Sequence, residues 1–335
     1  MVTEVKKNCR IGIIGAGSIV ENSHLPVLKN IQAAGISWIY DKNTVRSELI
    51  SSMYGVPVID EPSLESAMDD VDVCLLTIPY GVRARFIEMC AVKEKALYAE
   101  KPFATSVQEH EAYCGLFPFH KLAIGFQRRY YKIVSTLGSI ISSGVLGQLT
   151  SIQFTQGYFS LKGGGGYLSD AALAGGGVII ESAIHALDQL LIASGAISVE
   201  VMNVKSIHKK GIDYDTKFDS LIKTFTQSIP VNCEISTLRN LSNGVKLQFE
   251  NAVLKCNLSH DARPVVFKKD GALFHINLED LIIKDNTATS INKSFFIFWN
   301  QFLESLHSKT ENLTHASTSL ITTSWISQIY RNIRQ

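Results

Sequence analysis

The sequence predicts an α/β fold: an N-terminal Rossmann dinucleotide-binding domain over residues 1–123, then an α+β domain over 124–335 with an open, mostly antiparallel sheet. Three observations predict this fold. Short apolar runs alternate with amphipathic stretches over the first 120 residues, which is typical of βαβ units around a buried parallel sheet. A Gly15-Ala16-Gly17 turn directly follows the first apolar run. Beyond Gly195, apolar and polar residues alternate as in half-buried antiparallel strands.

Each element of the first domain is predicted from a bounded apolar run or a helical period. The predicted strands are Arg10–Ile14, Ile36–Tyr40, Val71–Leu76, Ala96–Ala99 and Lys121–Ile124. The predicted helices are Ser18–Ala33, Val45–Met53 and Val82–Val92.

The second domain is predicted in the same way, with longer strands. Its predicted helices are Tyr130–Ser143, the segment opened by Gly175-Gly176-Gly177, Asn292–Leu306 and Ser317–Arg334. Its predicted strands include Thr150–Phe159, Val245–Phe249, Leu254–Leu258, and a hairpin of Val265–Phe267 with Ala272–Leu278 around Asp270-Gly271. Gly163 to Gly166 form a loop, either a mobile lid or a flexible connection.

The composition excludes several classes of function. The 335 residues are 46% hydrophobic and carry a formal net charge of +1, so we expect two ordinary globular domains and no nucleic-acid or anionic-membrane partner. The six scattered cysteines contain no C-x-x-C pair, which favours a reduced, cytoplasmic protein without structural zinc. The polar start at Met1–Arg10 and the lack of an apolar run of about 18 residues predict neither a signal peptide nor a membrane span.

The turn after the first strand predicts a dinucleotide site. Gly15 permits the tight turn, Gly17 lets the backbone approach a pyrophosphate, and the helix start at Ser18 and Ile19 faces that anion. Val20 stands where the full motif has its third glycine. Ala16 completes the predicted cofactor loop.

Asp41 ends the second predicted strand, where a carboxylate binds the ribose hydroxyls of NAD and repels the 2′-phosphate of NADP. Its alternative role is that of a helix N-cap or a turn residue. Lys42 beside it leaves NADP open as a second cofactor.

Two further loops follow strands whose carboxyl ends meet at one edge of a parallel sheet. They supply Thr77 and Pro79, and then Glu100 and Lys101, as predicted cofactor contacts. We expect Lys101 near the nicotinamide, although a lysine there can also be a solvated loop charge.

Glu181, His185 and Asp188 form one polar stripe on an otherwise apolar helix. At about 100° per residue they share a face roughly 60° wide. A buried hydrogen-bond network, an acid/base site and a metal site are the three interpretations of this stripe. No H-E-x-x-H pattern is present, and we expect no metal.

Together these motifs resemble the glucose–fructose oxidoreductase / inositol dehydrogenase / MocA family. The resemblance rests on the glycine turn, Thr77-Ile78-Pro79, Glu100-Lys101-Pro102, and the glycine triplet followed by His185 and Asp188. It implies that Lys101 binds substrate and positions the nicotinamide, and that His185 is the acid/base. Glu181 stands in place of the family's usual aspartate and is the third candidate catalytic residue, either holding the imidazole of His185 or contacting another hydroxyl. Arg83 stands where a histidine is common.

The resemblance implies an NAD(P)-dependent oxidoreductase acting on a secondary alcohol or ketone of a sugar, sugar derivative or cyclic polyol. The alternatives are a keto-sugar-nucleotide reductase and a non-catalytic dinucleotide- or sugar-sensing regulator. It also implies a homodimer or homotetramer built through the C-terminal sheet. Besides Lys101, Glu181 and His185, the candidate substrate-binding residues are Arg128, Tyr158, Tyr167 and Asp170, some of which can equally be structural.

Overall fold

The computed structural model describes residues 8–160, 165–260, 265–269, 271–276, 287–310 and 313–333. The chain forms two compact units, each built from segments that are distant in sequence. The first unit comprises residues 1–103, 108–127 and 291–318, and the second comprises 104–107, 128–290 and 319–335. The predicted division cut the chain once, after residue 123, whereas residues 291–318 return to the first unit.

The first unit is built on a five-stranded, wholly parallel sheet with the order β2-β1-β3-β4-β5. These strands are Cys9–Ile14, Ala34–Tyr40, Val73–Leu76, Ala96–Ala99 and Leu122–Ile124, numbered β1 to β5. Every residue of β3, β4 and β5 is buried, as expected for a sheet covered on both faces. The predicted Rossmann-type α/β architecture is confirmed.

Helices connect these strands. They are α1 (Leu25–Leu28, preceded by a π-helical turn at Val20–His24), α2 (Thr44–Tyr54), α3 (Leu64–Ala67), α4 (Ala84–Val92) and α5 (Val107–Gly115). The first helix was predicted to reach Ala33, which is wrong. Its last α-helical residue is Leu28, because Asn30 and Ala34 donate to the carbonyls of Val27 and Ile31 in successive turns that lead into β2.

A C-terminal helix supplies much of the first unit's aromatic core. The four buried aromatic side chains of α9 (Ile291–Ser308) are Phe295, Phe298, Trp299 and Phe302. The ring of Tyr98 on β4 lies 4.5 Å from that of Phe298 and 5.0 Å from that of Trp299, centroid to centroid. Burial of these large apolar rings is the physical reason that residues 291–318 belong to the first unit.

A buried hydrogen-bond chain runs through this aromatic core. The indole of Trp299, which can only donate, donates to Nδ1 of His24 at 3.1 Å. The proton of the neutral imidazole therefore lies on Nε2, which donates to Oε1 of Glu100 at 3.1 Å. The hydroxyl of Tyr98 donates to the same carboxylate oxygen at 3.0 Å.

The second unit contains an eight-stranded sheet with the order β13-β12-β11-β10-β6-β9-β8-β7. Its strands are β6 (Leu149–Gly157), β7 (Ser198–Lys209), β8 (Ile212–Lys223), β9 (Ser228–Ser236), β10 (Gly244–Phe249), β11 (Ala252–Cys256), β12 (Val265–Lys269) and β13 (Ala272–Ile276). Among the strands that the structure describes, only β6 and β9 pair in parallel, so the predicted mostly antiparallel sheet is confirmed. Asp270 of the predicted hairpin and the ends of two predicted elements, residues 277–278 and 334, lie outside the described residues.

The helices of the second unit are α6 (Lys132–Ser143), α7 (Ala171–Ala174), α8 (Ile184–Ser194) and α10 (Leu320–Ile333). Helix α10 packs on β7 and against α8, and α8 also packs against α6. The segment Ala171–Ser194 is long and apolar enough to cross a membrane by length and composition, with a mean hydropathy of 1.3. Because 83% of its most apolar window is buried, it is typical of a core helix.

The buried carboxylate of Glu100 predicts a specific pH dependence of stability. Burial raises its pKa, but hydrogen bonds from His24 and Tyr98 outweigh that effect and hold the pKa below its ordinary value of 4.5. A carboxylate whose pKa is lower in the folded state stabilises the fold above about pH 4.5 and loses this contribution as the pH falls. Glu100→Gln should therefore lower the free energy of unfolding by about 1–3 kcal/mol at pH 7 and flatten its decrease towards pH 4.

Urea denaturation at pH 7 and pH 4 measures this effect. Glu65→Gln, which removes an exposed carboxylate from α3, is the matched control and should unfold like the wild type at both pH values. Equal pH slopes for Glu100→Gln and wild type would show that the buried carboxylate does not stabilise the fold in its charged form.

Candidate active site

The turn after β1 is held between the ends of two neighbouring strands. The amide of Gly15 donates to the carbonyl of Tyr40 at 2.7 Å, and the hydroxyl of Thr77 donates to the carbonyl of Gly15 at 3.0 Å. Gly15 has a φ of +108°, and a Cβ there would lie 2.6 Å from Oγ1 of Thr77. Only glycine fits this position, as the motif predicts.

Gly17 is a glycine for a different reason. A Cβ at Gly17 would meet no protein atom within 4 Å, so the space beside this residue is open. The carbonyl of Gly17 accepts from the amides of Val20 and Glu21 at the start of the helical turn. Ser18 is exposed and Ile19 half-buried, whereas Val20 is fully buried and belongs to the core. The open side of a loop at a helix start fits the approach of a dinucleotide's pyrophosphate.

Asp41 anchors the same loop. Its Oδ2 accepts from the amide of Ala16 at 2.6 Å and its Oδ1 from the amide of Asn43 at 2.8 Å. Asn43 is the N-cap of α2, since its side chain accepts from the amide of Arg46, so Asp41 is not that cap. The hydrogen bond from the amide of Asn43, two residues on, gives Asp41 the other alternative role, that of a turn residue. Because each carboxylate oxygen has a second lone pair, the half-buried Asp41 can still accept from ribose hydroxyls.

The buried guanidinium of Arg83 joins the two other predicted cofactor loops. Nη2 donates to the carbonyl of Ile78 at 2.6 Å, and Nη1 donates to the carbonyl of Glu100 at 2.6 Å and to that of Pro102. Arg83 is only 2% exposed. The backbone on both sides of Lys101 is thereby tied to the loop that follows β3. Lys101 itself is half-buried, as are Thr77 and Pro79.

Glu100 takes a different position from the one predicted. We expected it to contact the cofactor, but its side chain lies in the core and is only 10% exposed. Its Oε1 accepts from His24 and Tyr98, and its Oε2 accepts from the amide of Lys101 at 3.3 Å. Hydrogen bonds from His24 and Tyr98 hold the Glu100 carboxylate in the core. From this buried position, the carboxylate also binds the backbone amide of Lys101.

In the second unit, close packing explains the last two glycines of the triplet, whereas Gly175 has a positive φ as the C-cap of α7. A Cβ at Gly176 would overlap the hydroxyl of Tyr330, and one at Gly177 would overlap the backbone of Asp213. The Asp213 carboxylate accepts from the amides of Gly177 at 2.7 Å and Ile179 at 3.1 Å, and from the Tyr330 hydroxyl at 2.5 Å. An anion at the amides that open a helix is favourable, so Asp213 fixes the start of the helix that carries His185.

The polar stripe on that helix divides into three environments. The segment Ile179–Ala183 is a π-helical turn, so the α-helical spacing assumed for the stripe does not hold across it. Glu181 is exposed and His185 is 6% exposed. Asp188 is 1% exposed and accepts two hydrogen bonds from the guanidinium of Arg129, at 2.7 and 2.5 Å, and one from Thr322 at 2.8 Å. For Asp188, the buried-network interpretation applies.

The candidate substrate-binding residues of the second unit differ in exposure. Tyr158 and Tyr167 are 46% and 48% exposed, and Arg128 is half-buried. The exposed Asp170 caps α7 by accepting from the amide of Ala172 at 2.9 Å, which is a structural role. Gly163 and Gly164 of the predicted loop lie outside the described residues. Within the described ranges, no three His, Cys, Asp or Glu residues are grouped so that they could hold a metal ion.

Sequence reasoning did not find Asp213 or Tyr330, because they approach the helix that carries His185 from distant positions in the chain. It noted Arg83 only as a difference from relatives. A basic side chain beside two loops was the available signal, and burial is what distinguishes Arg83 from the exposed Arg85 two residues later.

Comparison with known proteins agrees with this geometry. Residues 9–123 match an oxidoreductase family with an NAD-binding Rossmann fold. The uncharacterized oxidoreductase YrbE of Bacillus subtilis (strain 168) is 24% identical over 309 residues, covering 88% of this chain and 82% of that protein.

Two sugar dehydrogenases are similar over shorter stretches. Glucose-6-phosphate 3-dehydrogenase of Bacillus subtilis (strain 168) is 27% identical over 146 residues, which cover 43% of this chain and 41% of that protein. D-glucoside 3-dehydrogenase of Escherichia coli (strain K12) is 23% identical over 205 residues, covering 60% and 58%. The chain thus spans less than two thirds of the length of these two enzymes.

Solved structures share the fold over nearly the whole chain. The aldose-aldose oxidoreductase of Caulobacter crescentus, complexed with glycerol, has a TM-score of 0.82 at 17% identity and covers 98% of both chains. The 3-ketoreductase KijD10 of Actinomadura kijaniata, in complex with NADP and TDP-benzene, has a TM-score of 0.81 at 16% identity, covering 97% of this chain and 98% of that one.

The two glycines of the turn should respond differently to substitution. Gly15→Ala should lower the free energy of unfolding by about 1–3 kcal/mol, because alanine is strained at positive φ and meets Thr77. Gly17→Val should fold normally and bind NAD at least about tenfold more weakly, since its side chain fills only the open space. Thermal unfolding and NAD titration by calorimetry measure the two effects. Wild-type NAD affinity in Gly17→Val would contradict the assignment of that space to the cofactor.

Loss of the Arg83 guanidinium should cost both stability and cofactor affinity. Arg83→Gln leaves carbonyl oxygens of two loops without charged donors, which should lower the free energy of unfolding by about 2–3 kcal/mol and weaken NAD binding. Arg85→Gln, an exposed change on the same helix, is the control. If the two variants unfold at the same urea concentration, the guanidinium does not organise these loops.

Proposed function

Because this chain belongs to the glucose–fructose oxidoreductase / inositol dehydrogenase / MocA family of oxidoreductases, we propose that it transfers hydride between NAD and a secondary alcohol or ketone of a sugar. The observation that carries the proposal is the loop of Gly15, Ala16 and Gly17. One side of that loop is open, and Asp41 stands at its edge. These groups would hold the pyrophosphate and the adenosine ribose of NAD.

We propose the C3 carbon of a glucose-type pyranose as the site of oxidation. The two similar sugar dehydrogenases are named for oxidation at position 3, one of glucose 6-phosphate and one of a glucoside. Cyclic polyols remain substrates to be tested, because a ring carbon that bears a hydroxyl offers the same chemistry.

In the proposed reaction, each candidate catalytic residue has one task. When bound, NAD supplies the C4 carbon that accepts the hydride. His185 takes the proton from the substrate hydroxyl as the C–H electron pair leaves carbon, so that the alcohol becomes a ketone. A histidine suits this step because its unperturbed pKa lies near neutrality. In the reverse direction, His185 returns the proton to the ketone oxygen.

Lys101 and Glu181 complete the proposed set. The ammonium of Lys101 stabilises the developing alkoxide, and its backbone is held for this purpose by Arg83 and Glu100. Glu181 is exposed, and we propose that its carboxylate binds a second hydroxyl of the sugar. Arg128, Tyr158 and Tyr167 are proposed as further sugar contacts, whereas Asp170 is accounted for by its capping role.

Absorbance at 340 nm tests the proposal with NAD and a panel of methyl glucoside, glucose 6-phosphate and myo-inositol. We expect NADH to form with at least one of the glucose derivatives. The second candidate, a keto-sugar-nucleotide reductase, is favoured by the fold shared with KijD10. Tight binding of nucleotide sugars, together with inert free sugars, would support that candidate instead. If the purified protein binds neither NAD nor NADP, both fail.

His185→Ala should lower kcat by about 10²- to 10⁴-fold and leave the dissociation constant of NAD within about twofold. The exposed His307→Ala is the control and should keep full activity. A protein that only senses its ligands would instead show no turnover in the wild type. Full activity in His185→Ala would remove this residue from the mechanism.

We also propose that the protein is cytoplasmic and that copies assemble as a homodimer or homotetramer through the eight-stranded sheet. One face of this sheet carries two ion pairs, Lys217 with Glu234 at 3.1 Å and Arg239 with the buried Asp215 at 2.6 Å. An interface there would be polar and sensitive to salt. Light scattering coupled to size-exclusion chromatography measures the mass of the assembly, and the mass of a monomer would contradict the proposed dimer or tetramer.

A further inference from the structure

We propose that Glu21 and Arg46 form a latch that makes this protein select NAD over NADP. The proposal rests on the proposed function, because it concerns the dinucleotide at the glycine turn. Nε of Arg46 donates to the carbonyl of Ala16 at 2.7 Å, and Nη2 of Arg46 pairs with Oε2 of Glu21. The side chains of Arg46 and Glu21 are 27% and 24% exposed, so the pair lies at the edge of the surface.

Arg46 and Asp41 bind the backbone carbonyl and the backbone amide of the same residue, Ala16. Asp41 accepts from the amide of Ala16, and Arg46 donates to the carbonyl of Ala16. The guanidinium therefore lies beside the carboxylate that we expect to hold the ribose hydroxyls. A phosphate on the 2′-oxygen of that ribose would stand close to Arg46.

Because it is held by the latch, the guanidinium of Arg46 does not bind such a phosphate. Arginine binds phosphate best through two parallel N–H donors on one edge of its fork. In this protein Nε and Nη2 form one such edge, and Ala16 and Glu21 already occupy it. The carboxylate of Asp41 also adds negative charge where a 2′-phosphate would lie. Asp41 repels the phosphate directly, and Glu21 withholds the cation that would offset the repulsion.

The pair is suited to selectivity rather than to stability. Partly exposed ion pairs contribute about 0–1 kcal/mol to folding, so removing Glu21 should leave the fold intact. Helix α2 also has its own cap at Asn43. A change in cofactor preference is then separable from a loss of structure.

The experiment measures dissociation constants for NAD and NADP by calorimetry, with no turnover required. Glu21→Gln should bind NADP about five- to tenfold more tightly than the wild type and NAD within about twofold, and Glu21→Ala should behave alike. Glu48→Gln removes an exposed carboxylate from α2 and is the charge-matched control, with no change expected. The double variant Glu21→Gln/Arg46→Gln should bind NADP no more tightly than Arg46→Gln alone, because Glu21 acts through Arg46.

Three outcomes would overturn the latch. One is an unchanged ratio of the two constants in both Glu21 variants. Another is an equal gain in Glu48→Gln, which would reveal a general charge effect. The third is a gain that persists without Arg46, which would show that Glu21 acts through its own charge alone. Failure of the wild type to bind either dinucleotide overturns the proposed function and the latch with it.

Discussion

The contact between the Arg83 guanidinium and three backbone carbonyls is the interaction on which the geometry of the cofactor-binding unit depends. The loops after β3 and β4 are short. The carbonyls of Ile78, Glu100 and Pro102 lie beyond the ends of these strands and accept from Arg83. A buried charged donor is strong enough to hold several such acceptors at once. From the opposite side, Glu100 holds the Lys101 amide and is itself fixed by His24. Lys101 therefore projects from a backbone held on both sides.

The second unit uses the same physical solution for the helix that carries His185. A buried carboxylate, Asp213, binds the amides at the helix start, and a second one, Asp188, pairs with Arg129 along the same helix. Neither carboxylate is needed for the proposed chemistry. Both carboxylates instead fix the helix that carries His185. In both units the reactive groups are positioned by buried polar groups whose partners are distant in sequence.

Because these partners are distant in sequence, local features of the fold could be predicted from the sequence and the contacts between distant segments could not. The strands and the glycine turn follow from local rules, since apolar periodicity records burial and Gly15 is imposed by its positive φ. The inward position of Glu100 could not be predicted, because it depends on Trp299 and His24. The return of α9 to the first unit was missed for a related reason: an amphipathic period shows that a helix is buried, and not which sheet buries it. The glycine triplet was recognised as a motif, but its cause, Asp213 and Tyr330, lies on other elements.

The central claim is that this oxidoreductase moves a hydride directly from a sugar ring carbon to NAD while His185 takes the hydroxyl proton. Mass spectrometry of the NADH formed from methyl glucoside deuterated at C3, in ordinary water, tests this claim most directly. The account predicts one deuterium in each NADH molecule, because the hydride comes from carbon and only the hydroxyl proton exchanges with solvent. NADH without deuterium, or no NADH from any sugar of the panel, would contradict it.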